Sequence, residues 1–247
     1  MTLTLSAWAL RPVPRRGAGR FGFLPVSVTV GGGQDEKRRL DMRFWGEWVC
    51  PRLLDLMMGD DEQVKALRTR TLAGATGRVL ELGFGTGLNL YHYPPGVKRL
   101  VAVDPNPGMT ELARERMASL GLEVEHHQTT AEQLPFDAAS FDSVVCTLTL
   151  CSIPDVAASL AEVHRVLKPG GQFLFCEHGL HADPGMRKWQ NRLDPLWKVV
   201  FDGCHINRDI ARLIEDAGLV LDPLEHPQMK AMPKVAAYFY LGRAARA

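Results

Sequence analysis

Three glycines at alternate positions, directly after a short apolar segment, constrain this chain more than any other feature. The segment RVLEL ends at Leu82 and has the pattern of a buried strand. Gly83, Gly85 and Gly87 follow it, and glycine allows a tight turn that approaches a ligand with no Cβ in between. A second apolar segment, LVAVDP, carries Asp104 about 20 residues beyond the glycines. In a βαβ nucleotide site this is where a carboxylate holds ribose hydroxyls, so the sequence predicts a nucleoside site.

The spacing of the glycines distinguishes two kinds of nucleotide site. A dinucleotide site of the form G-x-G-x-x-G would have its third glycine at position 88, where this chain has Leu88. The chain instead reads E-x-G-x-G-x-G, with Glu81 inside the strand end. This pattern resembles the class I methyltransferases that use S-adenosylmethionine, in which the loop passes under the methionine part of the cofactor. The alternative is a glycine-rich turn that binds nothing, and the position of Asp104 argues against it.

The resemblance implies further cofactor contacts on three loops. They are Glu81, Gly83, Phe84, Gly85 and Gly87 at the first strand, Asp104, Pro105, Asn106 and Met109 at the second, and Thr130, Ala131 and Glu132 on the adenine loop. Many relatives have an aspartate where this chain has Thr130, so Glu132 is the alternative acceptor for the adenine amino group. Open α/β sheets bind ligands at the carboxyl ends of their strands, which adds Cys146, Thr147 and Cys151 near the methyl-transfer zone. For both cysteines, simple packing is the alternative.

The order of segments predicts an α/β fold in one domain. Strands are expected at RVLEL, LVAVDP, VEH, FDSVVCTLTL and QFLFCEH, with helices between them. The helix after the fourth strand should be capped by Asp155 and stopped by Pro169 and the two glycines after it. The resemblance implies a Rossmann-like, seven-stranded, mostly parallel sheet flanked by helices, with a helical substrate insertion after strand five and a closing antiparallel strand.

The first 41 residues differ from the rest of the chain. They contain clustered Arg, Pro and Gly without a sustained period, so a disordered leader is expected for 1–41 and a methyltransferase domain for 42–247. Met42 is a candidate for the biological start. A targeting peptide is disfavoured because the segment has no continuous apolar region. The following segment carries Trp45 and Trp48, which predicts either a helix packed on the sheet edge or a lid over the cofactor.

Residues after the fifth strand are expected to form the acceptor side. His178 ends that strand and is a candidate general base, with a structural histidine as the alternative. The insertion could wall an apolar pocket with Trp189, Leu193, Leu196, Trp197, Val200 and Phe201. The segments TLTLCSIPD, EHG and WQNRLDPLWKVVFDGCHINRD resemble the animal thiol methyltransferases of the methyltransferase-like group and their bacterial relatives. That resemblance implies S-methylation of small alkyl or aryl thiols. A thiol must become a thiolate to react, and His178 and Asp202 are the candidate groups for raising the thiolate fraction.

Several classes of function are disfavoured. A net charge of +1 gives no general attraction to nucleic acid, and no segment is long and apolar enough for stable membrane insertion. Five cysteines without zinc spacing indicate reduced thiols in a cytoplasmic protein, and Asp202, Cys204 and His205 are too few for a metal site, so none is predicted. The expected partner is a small-molecule substrate, and the expected assembly is a monomer or homodimer. O-, N- or C-methylation of a phenol, quinone precursor or lipid, and a non-catalytic cofactor-binding module, remain alternatives.

Overall fold

The computed structural model describes residues 6–11, 22–27, 45–49, 52–53, 55–56, 59, 61–120, 122–230 and 232–247. The chain divides into two compact units, residues 1–43 and 44–247. In the first unit, β1 (Ser6–Arg11) pairs antiparallel with β2 (Gly22–Ser27). These two strands differ from the predicted absence of regular structure in the leader, whose other residues lie outside the described part. The domain start at Met42 stays a prediction.

The second unit is built on a seven-stranded sheet in the order β5-β4-β3-β6-β7-β9-β8. Five neighbouring strands are parallel, whereas β9 runs antiparallel to β7 and β8. This architecture confirms the predicted mostly parallel α/β sheet with its closing antiparallel strand. The strands are β3 (Val79–Leu82), β4 (Arg99–Val103), β5 (Glu123–His127), β6 (Phe141–Thr147), β7 (Leu167–His178), β8 (Leu219–Leu221) and β9 (Phe239–Arg246).

Helices connect and flank these strands, and aspartates cap several of them. The helices are α1 (Glu62–Leu72), α2 (Pro107–Ser119), α3 (Val156–Val166), α4 (Pro184–Val200) and α5 (Ile210–Asp216). The predicted cap at Asp155 is confirmed, because its carboxylate accepts a hydrogen bond from the Ala158 amide. The helix ends at Val166, however, and the chain enters β7 at once, before the predicted stop at Pro169.

Burial on both faces of the sheet explains why the central strands read as continuous apolar segments. All four residues of β3 are buried, and β6 is almost entirely buried. One apolar cluster includes Phe141 and Phe173, and a second, separate cluster includes Leu100 and Val145. Because these side chains fill the sheet faces, the carboxyl ends of the strands provide the place where polar chemistry can gather.

Helix α4 contradicts part of the predicted acceptor pocket. Trp189, Leu196 and Val200 are 57%, 65% and 42% exposed, so they do not wall a closed pocket. The helix instead turns Gln190 and Asp194 inward, where both are buried and hydrogen-bonded to backbone groups of neighbouring loops. The apolar residues of α4 have the expected helical spacing. The buried side of the helix is nevertheless polar, because backbone groups of the neighbouring loops need hydrogen-bond partners there, and several apolar side chains face outward instead.

The described part of the chain contains no helix whose length and apolar character would allow it to cross a bilayer.

Candidate functional site

The glycine loop after β3 requires its glycines. Gly83, Gly85 and Gly87 have φ values of +68°, +56° and +77°, in the left-handed region that costs other residues free energy. A Cβ on Gly83 would lie 2.2 Å from the side chain of Thr149, which follows the neighbouring strand β6. The loop can therefore pack against the end of β6 only without a side chain at Gly83. The predicted close approach of this backbone to a ligand stays a prediction.

Asp104, at the end of β4, holds the glycine loop in place. Its Oδ2 accepts from the Gly85 amide and its Oδ1 accepts from the Asn106 amide, both at 2.8 Å. Burial raises the pKa of Asp104, and these two amides oppose that shift. An ionised carboxylate has about four acceptor positions, so two remain for the hydroxyls of a ribose. The predicted nucleoside contact therefore fits this carboxylate.

Glu81 and Thr147 belong to a buried polar network behind the loop. The Glu81 carboxylate accepts from Asn89 Nδ2 at 2.9 Å and from the Tyr93 hydroxyl at 2.6 Å. Asn89 Nδ2 also donates to Thr147 Oγ1 at 2.9 Å, and Arg68 Nη1 donates to Asn89 Oδ1 at 2.7 Å. The network anchors the 3-10 helix Leu88–His92 to the sheet. Glu81 and Thr147 therefore support the glycine loop indirectly, through the 3-10 helix that follows it. Their direct contact with a cofactor stays a prediction.

The buried carboxyl of Glu81 gives the protein a pH-dependent stability. Burial raises the pKa of Glu81 from its ordinary 4.5 to about 7. Between those values the folded chain holds a proton that the unfolded chain has released. The contribution of Glu81 to stability is therefore greatest below pH 4.5 and is lost as pH rises through 7. We expect the native protein to lose about 2–3 kcal/mol relative to Glu81→Gln between pH 5 and pH 8. Urea unfolding at both pH values measures this difference.

An exposed carboxylate provides the control for that measurement. Glu115 is exposed on α2, so Glu115→Gln should track the native protein at both pH values within about 0.5 kcal/mol. If Glu81→Gln shows the same pH dependence as the native protein, Glu81 is already ionised at pH 5 in the folded state.

Two described parts of the chain before the sheet, Trp45–Val49 and Asp55, contact the glycine loop and its surroundings, and we call them the lid segment. Asn106 Nδ2 donates to the Gly46 carbonyl at 2.9 Å, and Trp45 Nε1 donates to the Val200 carbonyl at 3.1 Å. Farther along, Thr86 Oγ1 donates to the Asp55 carboxylate at 2.6 Å. The segment thus contacts the end of β4, the glycine loop and the end of α4. These contacts support the lid alternative over packing at a sheet edge.

The adenine loop after β5 carries its predicted residues in different environments. Ala131 is buried, Thr130 is exposed, and the Glu132 carboxylate accepts from the Asp155 amide at 3.3 Å. Glu132 therefore joins the loop to the start of α3, which leaves part of its acceptor capacity for the adenine amino group. Pro105 is exposed beside Asn106, and the side chain of Met109 lies outside the described part.

Three side chains from separate segments meet beyond the ends of β6 and β7. Cys151, His178 and Cys204 place their Sγ and ring nitrogen atoms within 4.8 Å of one another, and His178 Nε2 lies 3.1 Å from Cys204 Sγ. We call these residues the Cys-His-Cys cluster. A hydrogen bond from Cys151 lowers the pKa of the Cys204 thiol, and the same bond, with burial, raises the pKa of Cys151. His178 is buried, and its Nδ1 has no hydrogen-bond partner among the described residues.

The other candidates of the acceptor side lie outside this cluster. Asp202 is exposed, and a Cβ on Gly46 would lie 2.5 Å from its Oδ2, so its carboxylate faces the lid segment. His205 Nδ1 is 3.1 Å from the Asp194 carboxylate. Cys146 is fully buried in the core and donates to Glu177 at 3.5 Å, which supports packing as its role.

Sequence reasoning missed the buried carboxylate that positions the cluster. Glu177 Oε1 accepts from the amides of Thr149 at 2.7 Å and Leu150 at 3.1 Å, and so fixes the loop that presents Cys151. The only signal for it was an acidic residue next to His178 at the end of an apolar strand. Asn89 and Arg68 were missed for a similar reason, since each is polar but lies in a segment that reads as an ordinary helix.

Comparison with known proteins gives concordant matches. A family model described as a methyltransferase domain matches residues 80–175. Thiol S-methyltransferase TMT1B of Homo sapiens is 38% identical over 172 residues, which cover 66% of this chain and 69% of that protein. TMT1A of Homo sapiens is 39% identical over 162 residues, which cover 63% of this chain and 66% of that protein. The matched part thus spans about two thirds of the length of these curated relatives.

One solved structure illustrates the likeness of fold. A SAM-dependent methyltransferase from Thermotoga maritima superposes with a TM-score of 0.59 and 21% sequence identity. The superposition covers 85% of this chain and 99% of that one, and at such identity it concerns the fold alone.

Proposed function

This chain belongs to the class I S-adenosylmethionine-dependent methyltransferases, and from that membership we propose that it methylates the sulfur of a small apolar thiol. The observation that carries the choice of acceptor is the Cys-His-Cys cluster beyond β6 and β7. It brings imidazole and thiol groups to the carboxyl edge of the sheet, next to the loop that packs on Gly83. The thiol S-methyltransferases TMT1A and TMT1B are the relatives that favour sulfur over other acceptor atoms.

The cofactor side of the proposal rests on a carboxylate that still has unused hydrogen-bond acceptor positions. S-adenosylmethionine supplies a methyl group activated by a sulfonium. The two unused acceptor positions of Asp104 would hold its ribose hydroxyls, whereas the amides of Gly83, Phe84, Gly85 and Gly87 already donate to protein acceptors. The lid segment, bonded to Asn106 and Thr86, would cover the bound nucleoside and exclude water.

The acceptor side must place a sulfur atom in line with the methyl group, at about 3–3.5 Å. A free thiol with a pKa near 8.5 is only a few per cent ionised at neutral pH. A group that receives its proton therefore raises the reactive fraction. His178 Nε2 and Cys204 Sγ are the candidate acceptors, since they lie together at the strand ends, whereas the Asp202 carboxylate faces Gly46.

A matched panel of acceptors tests the proposal. The purified chain is incubated with labelled S-adenosylmethionine and thiophenol, phenol or aniline, which share one ring and differ in the acceptor atom. We expect thiophenol to be methylated at least about 100-fold faster than phenol or aniline, after subtraction of the reaction without protein. Preferred methylation of phenol or aniline would replace sulfur as the acceptor. Calorimetric binding of the cofactor without turnover on any compound would favour a non-catalytic module.

The proposal extends to the state of the protein in the cell. We propose a monomer or homodimer that works in the cytoplasm on a small-molecule substrate. The free thiols of Cys146, Cys151, Cys176 and Cys204 are compatible with a reducing compartment. Sedimentation analysis at micromolar concentration should give a mass of one or two chains, and a larger assembly would contradict this part.

A further inference from the structure

We propose that the Cys-His-Cys cluster is a zinc site with one open coordination position, which receives the thiol substrate. The metal site itself depends only on the geometry of Cys151, His178 and Cys204, and its role toward substrate rests on the proposed thiol methylation. The sequence predicted no metal, because its possible ligands near Cys204 were Asp202 and His205, which the structure places elsewhere.

The ligand types and their spacing match those of zinc. Cysteine thiolates and a histidine nitrogen bind Zn²⁺ at about 2.0–2.3 Å in tetrahedral geometry, so bound ligand atoms lie about 3.5 Å apart. The three ligand atoms of the cluster lie within 4.8 Å of one another, and His178 Nε2 lies 3.1 Å from Cys204 Sγ. Small side-chain rotations therefore bring all three to a common metal ion.

The backbone around the cluster is fixed before any metal binds. The His205 amide donates to the Cys151 carbonyl at 2.8 Å, which ties the loop after β6 to the loop after α4. Gly203, with a φ of +87°, forms the turn that presents Cys204. The buried Asp194 carboxylate accepts from the Ile206 amide at 3.0 Å on the other side of that turn. Such preorganisation lowers the entropy that metal binding would otherwise remove.

The charges and tautomer of the cluster also favour a cation. Two thiolates and a neutral imidazole balance one Zn²⁺, whereas two buried thiolates alone would repel each other. The Arg208 guanidinium, which donates to the Leu150 carbonyl, stabilises the thiolates but repels a cation, so it does not contribute to this preference. His178 Nε2 and Cys204 Sγ share a hydrogen bond, and a metal ion that binds both atoms would displace the proton between them. The neutral ring would then carry its proton on Nδ1, which no described residue bonds.

Three protein ligands leave the fourth position of a tetrahedral zinc open, as in catalytic zinc sites. With metal bound, His178 Nε2 and Cys204 Sγ are ligands and no longer accept the proton of the substrate. A thiol that binds at the open position releases its proton to solvent and forms a sulfur–zinc bond, so it is ionised at neutral pH. Its sulfur lone pair then forms the new bond to the methyl carbon. The carbon–sulfonium bond breaks, its electron pair stays on the leaving sulfur, and the methylated thioether dissociates from the metal.

Metal content and a cobalt spectrum test the site independently of turnover. The full chain, purified under reducing conditions, is expected to contain about one zinc per molecule by elemental analysis. Co²⁺ added to the metal-free protein should show visible bands of tetrahedral cobalt and a thiolate charge-transfer band. Cys204→Ala and Cys151→Ala should weaken Co²⁺ binding by more than about 100-fold.

Cys176 provides the matched control. It is buried on β7 two residues before His178 and lies outside the cluster, so Cys176→Ala should bind Co²⁺ like the native protein. All variants are first compared by thermal unfolding to exclude loss of the fold. Absence of stoichiometric metal, equal weakening in Cys176→Ala, or a Cys151–Cys204 disulfide that persists under reducing conditions would overturn the site.

A final measurement separates the metal from the methylation chemistry. Thiophenol added to the cobalt protein should intensify the charge-transfer band, since a third sulfur atom enters the coordination sphere of the metal. If the band is unchanged while the thiol is still methylated in the presence of a chelator, the proposed role of zinc fails and thiol methylation stands. If the band intensifies but no thiol is methylated, the zinc site stands and the proposed function fails.

Discussion

Replacement of Asp104 by alanine is expected to weaken the binding of S-adenosylhomocysteine by at least about 100-fold. A hydrogen bond to a charged group contributes about 1.5–3 kcal/mol, and each 1.4 kcal/mol corresponds to a factor of ten in affinity. Asp104 would provide two such bonds to the ribose, and its present bonds to the Gly85 and Asn106 amides would be lost as well. Isothermal titration calorimetry with the purified chain measures the change directly.

Two further variants make this result specific. Asp104→Asn keeps one acceptor oxygen and the size of the side chain, so its affinity should fall between those of the native protein and the alanine variant. Asp137 is an exposed carboxylate between β5 and β6, and Asp137→Ala should bind the nucleoside normally. Unchanged affinity in Asp104→Ala would remove the ribose contact on which the cofactor site depends.

Replacement of Gln190 by alanine is expected to lower the free energy of unfolding by about 3–5 kcal/mol. The side chain is completely buried, and its Nε2 lies 2.8–2.9 Å from the carbonyl oxygens of Gly179, Ile206 and Val235. Its Oε1 accepts from the His181 amide at 2.9 Å. The substitution therefore strands several buried backbone groups and also leaves a cavity.

The neighbouring residue on the same helix gives the comparison. Asn191 is exposed, and its side chain accepts a surface hydrogen bond from Asn207. Asn191→Ala should therefore lower the free energy of unfolding by less than about 1 kcal/mol. Urea unfolding monitored by tryptophan fluorescence provides both values. A similar small loss in Gln190→Ala would mean that water replaces the lost amide contacts.

Local signals carried most of what could be predicted about the fold. Strand period, glycine spacing and the aspartate cap at Asp155 are properties of a few adjacent residues, and each was correct in the structure. Helix α4 shows where such signals end. Its apolar residues have helical spacing, yet Trp189 and Leu196 face outward because Gln190 faces inward, where its two N–H donors serve carbonyl groups of neighbouring loops.

The sequence by itself determined the glycine turn beside the carboxylate of Asp104, because the conformational freedom of Gly85 and its distance from Asp104 are properties of one short stretch. Only the tertiary structure decided that Cys151, His178 and Cys204 meet. Their encounter depends on the side-by-side pairing of β6 and β7 and on the return of the chain after α4. No local pattern encodes contacts of that range, since they follow from how the whole sheet and its insertion pack together.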